Sequence, residues 1–82
     1  MDWTADVIAE AKANGAVEMR CKVIDNLAKY RIGYPIDAAQ SALTAFRSLR
    51  YADAPAEVEA WFVNGNGDYI IGADGMPIQI FL

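Results

Sequence analysis

The sequence has no histidine and a single cysteine, Cys21, among its 82 residues. Without histidine the commonest general acid and base is missing, and Cys21 has no imidazole to activate it as a nucleophile. A lone thiol forms no internal disulfide, and a structural zinc site needs several cysteine or histidine ligands. We therefore predict a non-enzymatic protein with no metal and no cofactor, in which Cys21 is a small buried apolar side chain.

Long apolar runs are missing as well. No segment approaches the ~20 apolar residues of a membrane helix, and the first residues lack the basic and apolar regions of a signal peptide. This pattern predicts a cytoplasmic protein with no membrane contact. A length of 82 residues allows one domain, residues 1–82, and 55% hydrophobic with 22% charged residues is typical of a globular chain.

Charge is distributed unevenly along the chain, whose net charge is −4. All seven basic residues lie in the first fifty positions, whereas residues 51–82 contain five acids and no base. An acidic end repels phosphate groups, so this asymmetry disfavours nucleic acid as a partner and favours a protein.

The first sixty residues show mainly helical periodicity. The predicted helices cover residues 3–13, 16–30, 37–49 and 54–60. Asp2 caps the first, and Asn14-Gly15 ends it. The second has apolar residues at spacings of three and four, opposite two acid-before-base pairs four residues apart. A capping box formed by Asp37 and Gln40 begins the third.

The last third of the chain, residues 61–82, predicts a three-stranded antiparallel β-meander, because apolar runs alternate with two glycine turns. Asp74-Gly75 suits a two-residue type I′ turn that pairs Ile71 with Ile78. The core face of the hairpin would then contain Tyr69, Ile71, Ile78, Ile80 and Leu82. We predict an α+β fold in which three to four helices, about residues 2–60, pack on one face of this C-terminal meander, although residues 60–64 fit either helix or strand.

The other face of the meander is the main candidate interaction surface. It holds Ile70 and Phe81, joined by Trp61 if the first turn has two residues or by Phe62 if it has three. Such an apolar area matches the patches that mark interfaces. Its acidic rim would be Glu57, Glu59, Asp68 and Asp74. Either one of the chain's own helices covers this face, or another chain does, as a second copy or a target protein.

A second candidate patch contains Tyr30, Arg31 and Tyr34, which we predict in a loop between helices. Tyrosine and arginine are enriched among the residues that dominate interface energies. The expected role is again contact with a protein.

A winged-helix DNA-binding regulator is the alternative function, because three helices followed by a hairpin is also the order of that domain. The third helix would then recognise DNA through Gln40, Ser41, Thr44 and Arg47. Two acids in the supposed wing, Asp68 and Asp74, disfavour this interpretation, since a wing should approach phosphates.

In size, acidity and lack of catalytic groups the chain resembles the small accessory and inhibitor proteins of bacteriophages, including the anti-CRISPR class. No family motif matches any position, so this resemblance assigns no site residues. It implies an inhibitor that occupies a basic groove of a nucleic-acid-handling enzyme, with carboxylates in place of phosphates. The sequence therefore predicts a small acidic protein-interaction domain that binds such a partner or homodimerises through its sheet.

Overall fold

The computed structural model describes residues 3–24, 29–49 and 57–82. Within these ranges two α-helices and four strands alternate along the chain. They are α1 (Trp3–Ala13), β1 (Glu18–Ile24), β2 (Lys29–Pro35), α2 (Ala39–Leu49), β3 (Glu57–Val63) and β4 (Gln79–Phe81), with a 3-10 turn at Ile36–Ala38 before α2. The strands form one antiparallel sheet in the order β2-β1-β3-β4. The predicted order, helices followed by a C-terminal meander, is wrong, because helices and strands are interleaved.

The predicted second helix accounts for most of this error, since residues 16–30 contain β1 and the start of β2. Along β1 the side chains alternate, with Met19, Cys21 and Val23 buried and Arg20 and Lys22 on the opposite face. Positions four apart lie on one face in a helix and also in a strand, because four is a multiple of two. The spacing of Met19 and Val23 therefore did not discriminate between the two structures.

The predicted fourth helix is wrong where the structure describes it, because β3 begins at Glu57. Residues 54–56 lie outside the described residues, as do Asp2 and residues 25–28. The predicted first strand of the meander, from Trp61 onward, is the second half of β3. All seven residues of β3 pair with β1, a segment for which the sequence predicted a helix.

The first and third predicted helices are confirmed as α1 and α2. Gly15 ends α1 with a φ of 99°, a left-handed conformation that glycine adopts without steric cost. The predicted capping box is replaced by contacts with α1. Asp37 accepts a hydrogen bond from Lys12 Nζ at 3.0 Å, and Gln40 Nε2 donates to Thr4 Oγ1 at 3.2 Å.

The core lies between the helices and one face of the sheet. The sheet contributes apolar side chains that alternate along β1 and β3, and α2 contributes Leu43 and Phe46. Tyr34 of β2 packs edge-on against Phe46, with ring centroids 6.2 Å apart and planes at 76°. Neither helix in the described residues is long and apolar enough to span a membrane.

Two three-residue loops shape the chain after β3. In the first, Asn64 N donates to Asp68 O, and in the second, Gly72 N donates to Met76 O. Each loop ends in a glycine with positive φ, Gly67 at 81° and Gly75 at 79°. This geometry matches a type I turn followed by a left-handed bulge residue, whereas a type I′ turn needs two consecutive positive φ values.

The second loop therefore has three residues and not the predicted two, and the pairing shifts by one position. Ile71 pairs with Pro77 in place of Ile78. Because neighbouring side chains in a strand point to opposite faces, this shift leaves Tyr69 and Ile71 exposed and places Ile70 in the core.

We expect Gly67→Ala to lower the free energy of unfolding by about 1 kcal/mol, because a Cβ is strained at positive φ. Gly65→Ala in the same loop is the matched control: it lacks positive φ, and a Cβ there meets nothing within 4 Å. Urea denaturation of both variants measures the difference. Equal losses for the two would contradict the assigned loop conformation.

Two phenylalanines test which face of the sheet is buried. Phe62 is fully buried, whereas Phe81 is 63% exposed. We expect Phe62→Ala to lower the free energy of unfolding by about 3–5 kcal/mol, since it leaves a cavity in the core, and Phe81→Ala to lower it by less than about 1 kcal/mol. Thermal and urea denaturation in dilute solution measure both, and a reversed ranking would show that the faces are misassigned.

Candidate interaction face

The sheet face turned away from the core, which we call the open face, is defined by strand register. Directly opposed residues of antiparallel strands project on the same side of the sheet. One row across all four strands is Arg31, Lys22, Glu59 and Phe81, and the next is Gly33, Arg20, Trp61 and Gln79. A third row contains Lys29, Ile24 and Glu57. Tyr69, which pairs with the end of β3, extends the face beyond β4.

The open face is divided by charge. On β1 and β2 it carries four bases, Arg20, Lys22, Lys29 and Arg31, and one acid, Glu18. On β3 and β4 the described residues place two acids there, Glu57 and Glu59, and no base. One half of the face is therefore net positive and the other net negative.

Few of these charges are neutralised by a neighbour. Arg20 Nε lies 2.7 Å from Glu18 Oε1, and both side chains are partly exposed. The other ion pair found within the described ranges joins Lys12 to Asp37, away from the open face. Lys22, Arg31 and Glu59 take part in no ion pair with the described residues, although Lys22 and Glu59 are directly opposed across β1 and β3.

Three aromatic rings accompany the charges. Phe81 and Tyr69 are 63% and 58% exposed, and Trp61 is half-buried. The buried Nε1 of Trp61 has no hydrogen-bond partner in the described part of the chain. Three open clefts of about 300, 220 and 310 Å³ lie along this face, and Arg31, Trp61 and Tyr69 line two of them.

The structure divides the predicted apolar patch between the two faces. Trp61 and Phe81 lie on the open face with Glu57 and Glu59. Phe62 and Ile70 are on the opposite face, where the chain's own core covers them. The three-residue first turn did place Phe62 and Ile70 together, as that alternative predicted, and Ile70 N donates to Phe62 O at 2.9 Å.

The two other predicted rim acids lie in loops. Asp68 closes the first three-residue loop, and Asp74 accepts a hydrogen bond from Met76 N at 3.0 Å in the second. The four acids therefore form no single ring around the aromatic residues.

The second predicted patch is also divided, because its residues lie in β2 and not in a loop between helices. Arg31 belongs to the open face, whereas Tyr30 and Tyr34 pair with buried residues of β1 and share their side of the sheet. Burial, with smaller contributions from the Cys21 and Tyr30 charges, raises the pKa of Tyr34.

The residues predicted to recognise DNA lie on α2. Ser41 and Thr44 are exposed, Gln40 bonds to Thr4, and the Arg47 guanidinium lies 5.9 Å from the centroid of the Trp3 ring. A winged-helix domain also needs a helix immediately before this one, and β1 and β2 occupy that part of the chain. The described fold therefore lacks the helical arrangement on which that alternative depends.

Sequence reasoning did not identify Arg20, Lys22 and Tyr69 as members of the face. The alternation of buried and charged residues from Met19 to Val23 was the signal that could have found the first two. Compared with known proteins, the chain matches no family model, and searches of curated proteins and of solved structures found no match. Among the described residues, no three Cys, Asp or Glu side chains are grouped so as to hold a metal ion.

Cys21 lies on the buried side of β1, and burial raises the pKa of its thiol from 9.0 to about 11. Between these two values the unfolded chain loses the thiol proton before the folded chain does, so stability falls as pH rises. We expect a loss on the order of 2 kcal/mol across pH 9 to 11 that Cys21→Ala does not show. Urea denaturation of both proteins at several pH values measures it; parallel curves would contradict the burial of the thiol.

Proposed function

We propose that this chain is a non-enzymatic cytoplasmic protein-interaction domain whose open face contacts a partner protein. The observation that carries the proposal is the exposure of Tyr69 and Phe81 beside charged side chains that have no ion-pair partner among the described residues. The opposite face of the same sheet is buried against the helices, so the open face is the side of the sheet available to another molecule.

Covering these rings supplies a driving force for association. The exposed parts of Tyr69 and Phe81 amount to on the order of 250 Å² of surface. Its removal from water contributes about 6 kcal/mol before the costs of association. Trp61 and the arginines are residue types that dominate binding energy in protein interfaces.

The arrangement of acids favours a protein over nucleic acid. Glu59 stands between Lys22 and Phe81 in the central row, and Glu57 lies beside Ile24 in the next row toward the end of the sheet. A nucleic-acid backbone that contacted the lysine and arginine side chains across the sheet would also meet both carboxylates, which repel its phosphates. The four basic residues on the open face also disfavour an inhibitor whose carboxylates take the place of phosphates, because they share the face with Glu57 and Glu59. The expected partner surface is apolar at its centre and carries charges of both signs.

Site-specific photo-crosslinking tests the use of the open face. The photoreactive residue p-benzoylphenylalanine replaces Phe81 in one variant and Met76 in the other. These positions are matched, at 63% and 62% exposed, but Met76 lies in the second loop. We expect irradiation in cells of the native host to give a protein adduct from position 81 and none from position 76.

The mass of the adduct identifies the partner as a second copy or as another protein. Adducts of equal yield from both positions would indicate unspecific contact and overturn the proposal. Absence of any adduct from position 81, with the variant folded by circular dichroism, would overturn it as well.

A further inference from the structure

We infer that the open face binds the open face of a second copy of this chain, an inference that rests on the proposed function. The two copies would be related by a twofold axis parallel to the strands. The inference depends on the register of charges across the sheet. The positive half of the face is on β2 and β1, and the negative, aromatic half is on β3 and β4. A twofold axis parallel to the strands, midway between two facing sheets, lays the positive half of each copy over the negative half of the other.

Rotation about this axis brings each row of one copy over the same row of the other copy, with the four strands in reversed order. In the central row, Lys22 of each copy then faces Glu59 of the other, and Arg31 faces Phe81. In the neighbouring row Arg20 faces Trp61, where a guanidinium stacks favourably on an indole ring. Because β1 and β3 are the two middle strands, the two symmetric Lys22–Glu59 pairs flank the axis.

The alternative twofold axis, perpendicular to the strands, gives the opposite result. It places β2 over β2, β1 over β1 and β3 over β3, so that the basic strands face each other and the acidic strand β3 faces its own copy. Like charges placed in contact across an interface repel each other and disfavour it. Charge complementarity therefore selects the axis parallel to the strands.

The size of the face sets the expected strength. Strands about 4.8 Å apart, with residues about 3.4 Å apart, give a four-stranded face a flat footprint on the order of 400 Å². Two such faces total less than the area that stable specific interfaces bury, so the dimer is expected to be weak and transient. Facing sheets pack about 10 Å apart, and their strands cross at about 30°. At this angle the residues of the two middle strands, which lie nearest the axis, stay close to their expected partners. We expect a reversible dimer with a Kd in the micromolar range.

Charge reversal in matched chains tests both the partner and the axis. In a Lys22→Glu homodimer, a glutamate at position 22 would face Glu59 of the other copy at both symmetric contacts. In a Glu59→Lys homodimer, a lysine would face Lys22 at both. We expect each variant to dimerise at least about 10-fold more weakly than the wild type. An equimolar mixture of the two variants restores both opposite-charge pairs, so a heterodimer of near wild-type affinity is expected.

Sedimentation velocity from about 1 µM to about 1 mM measures these affinities. Lys12→Glu is the control: it reverses an exposed charge outside the open face, breaks only the exposed Lys12–Asp37 ion pair and should leave dimerisation unchanged. Circular dichroism verifies that every variant is folded. A wild type that stays monomeric, or a mixture that stays as weak as its components, overturns the dimer.

Two further outcomes identify a different occupant. A monomeric chain whose position 81 still crosslinks to another protein overturns the dimer and leaves the proposed function standing. A single-stranded oligonucleotide that binds more tightly to Glu59→Lys and more weakly to Lys22→Glu would show that the face contacts phosphates, and it would overturn both proposals.

Discussion

The fold depends on the hydrogen bonding of β1 along both of its edges. All seven residues of β1, Glu18–Ile24, pair with β2 on one side and with β3 on the other. An isolated hairpin is marginal in water, and a third strand with an apolar face makes it stable. A helix would satisfy the backbone of this segment as well, so the preference for a strand comes from its neighbours: β2 and β3 pair with both edges, and every second side chain of β1 is buried in the core.

The pleat of this central strand separates the two faces of the sheet. Met19, Cys21 and Val23 point into the core and hold the helices, while Arg20 and Lys22 point outward. Because opposed residues share a face, the same division extends to β2 and β3 and places Trp61 and Glu59 with the bases. The charge asymmetry along the sequence thus becomes an asymmetry across one surface, with the basic strands on one side of it and the acidic, aromatic strands on the other.

The loops after β3 show how a single residue decides which side chains reach that surface. Each loop contains one glycine with positive φ, which produces a three-residue connection and a bulge. The second connection differs by one residue from the turn expected at Asp74-Gly75, and this difference exchanges the faces of Ile70, Ile71 and Tyr69. The dipeptide is compatible with both turns, so its sequence alone gave no basis for choosing.

The sequence by itself determined the features that depend on local physics. These include both described helices, the end of α1 at Gly15, the burial of Cys21, the position of the two turns and the location of Trp61 and Phe81 on strands. Tertiary structure decided the rest: the strand identity of β1, the loss of the capping box to contacts between helices, the register of the second loop and the assembly of the open face. The physical reason is that the spacing of residues within a segment indicates only which of its sides is exposed. The choice between helix and strand depends on partners distant in the chain. The same distant partners decide which residues share a face across four strands.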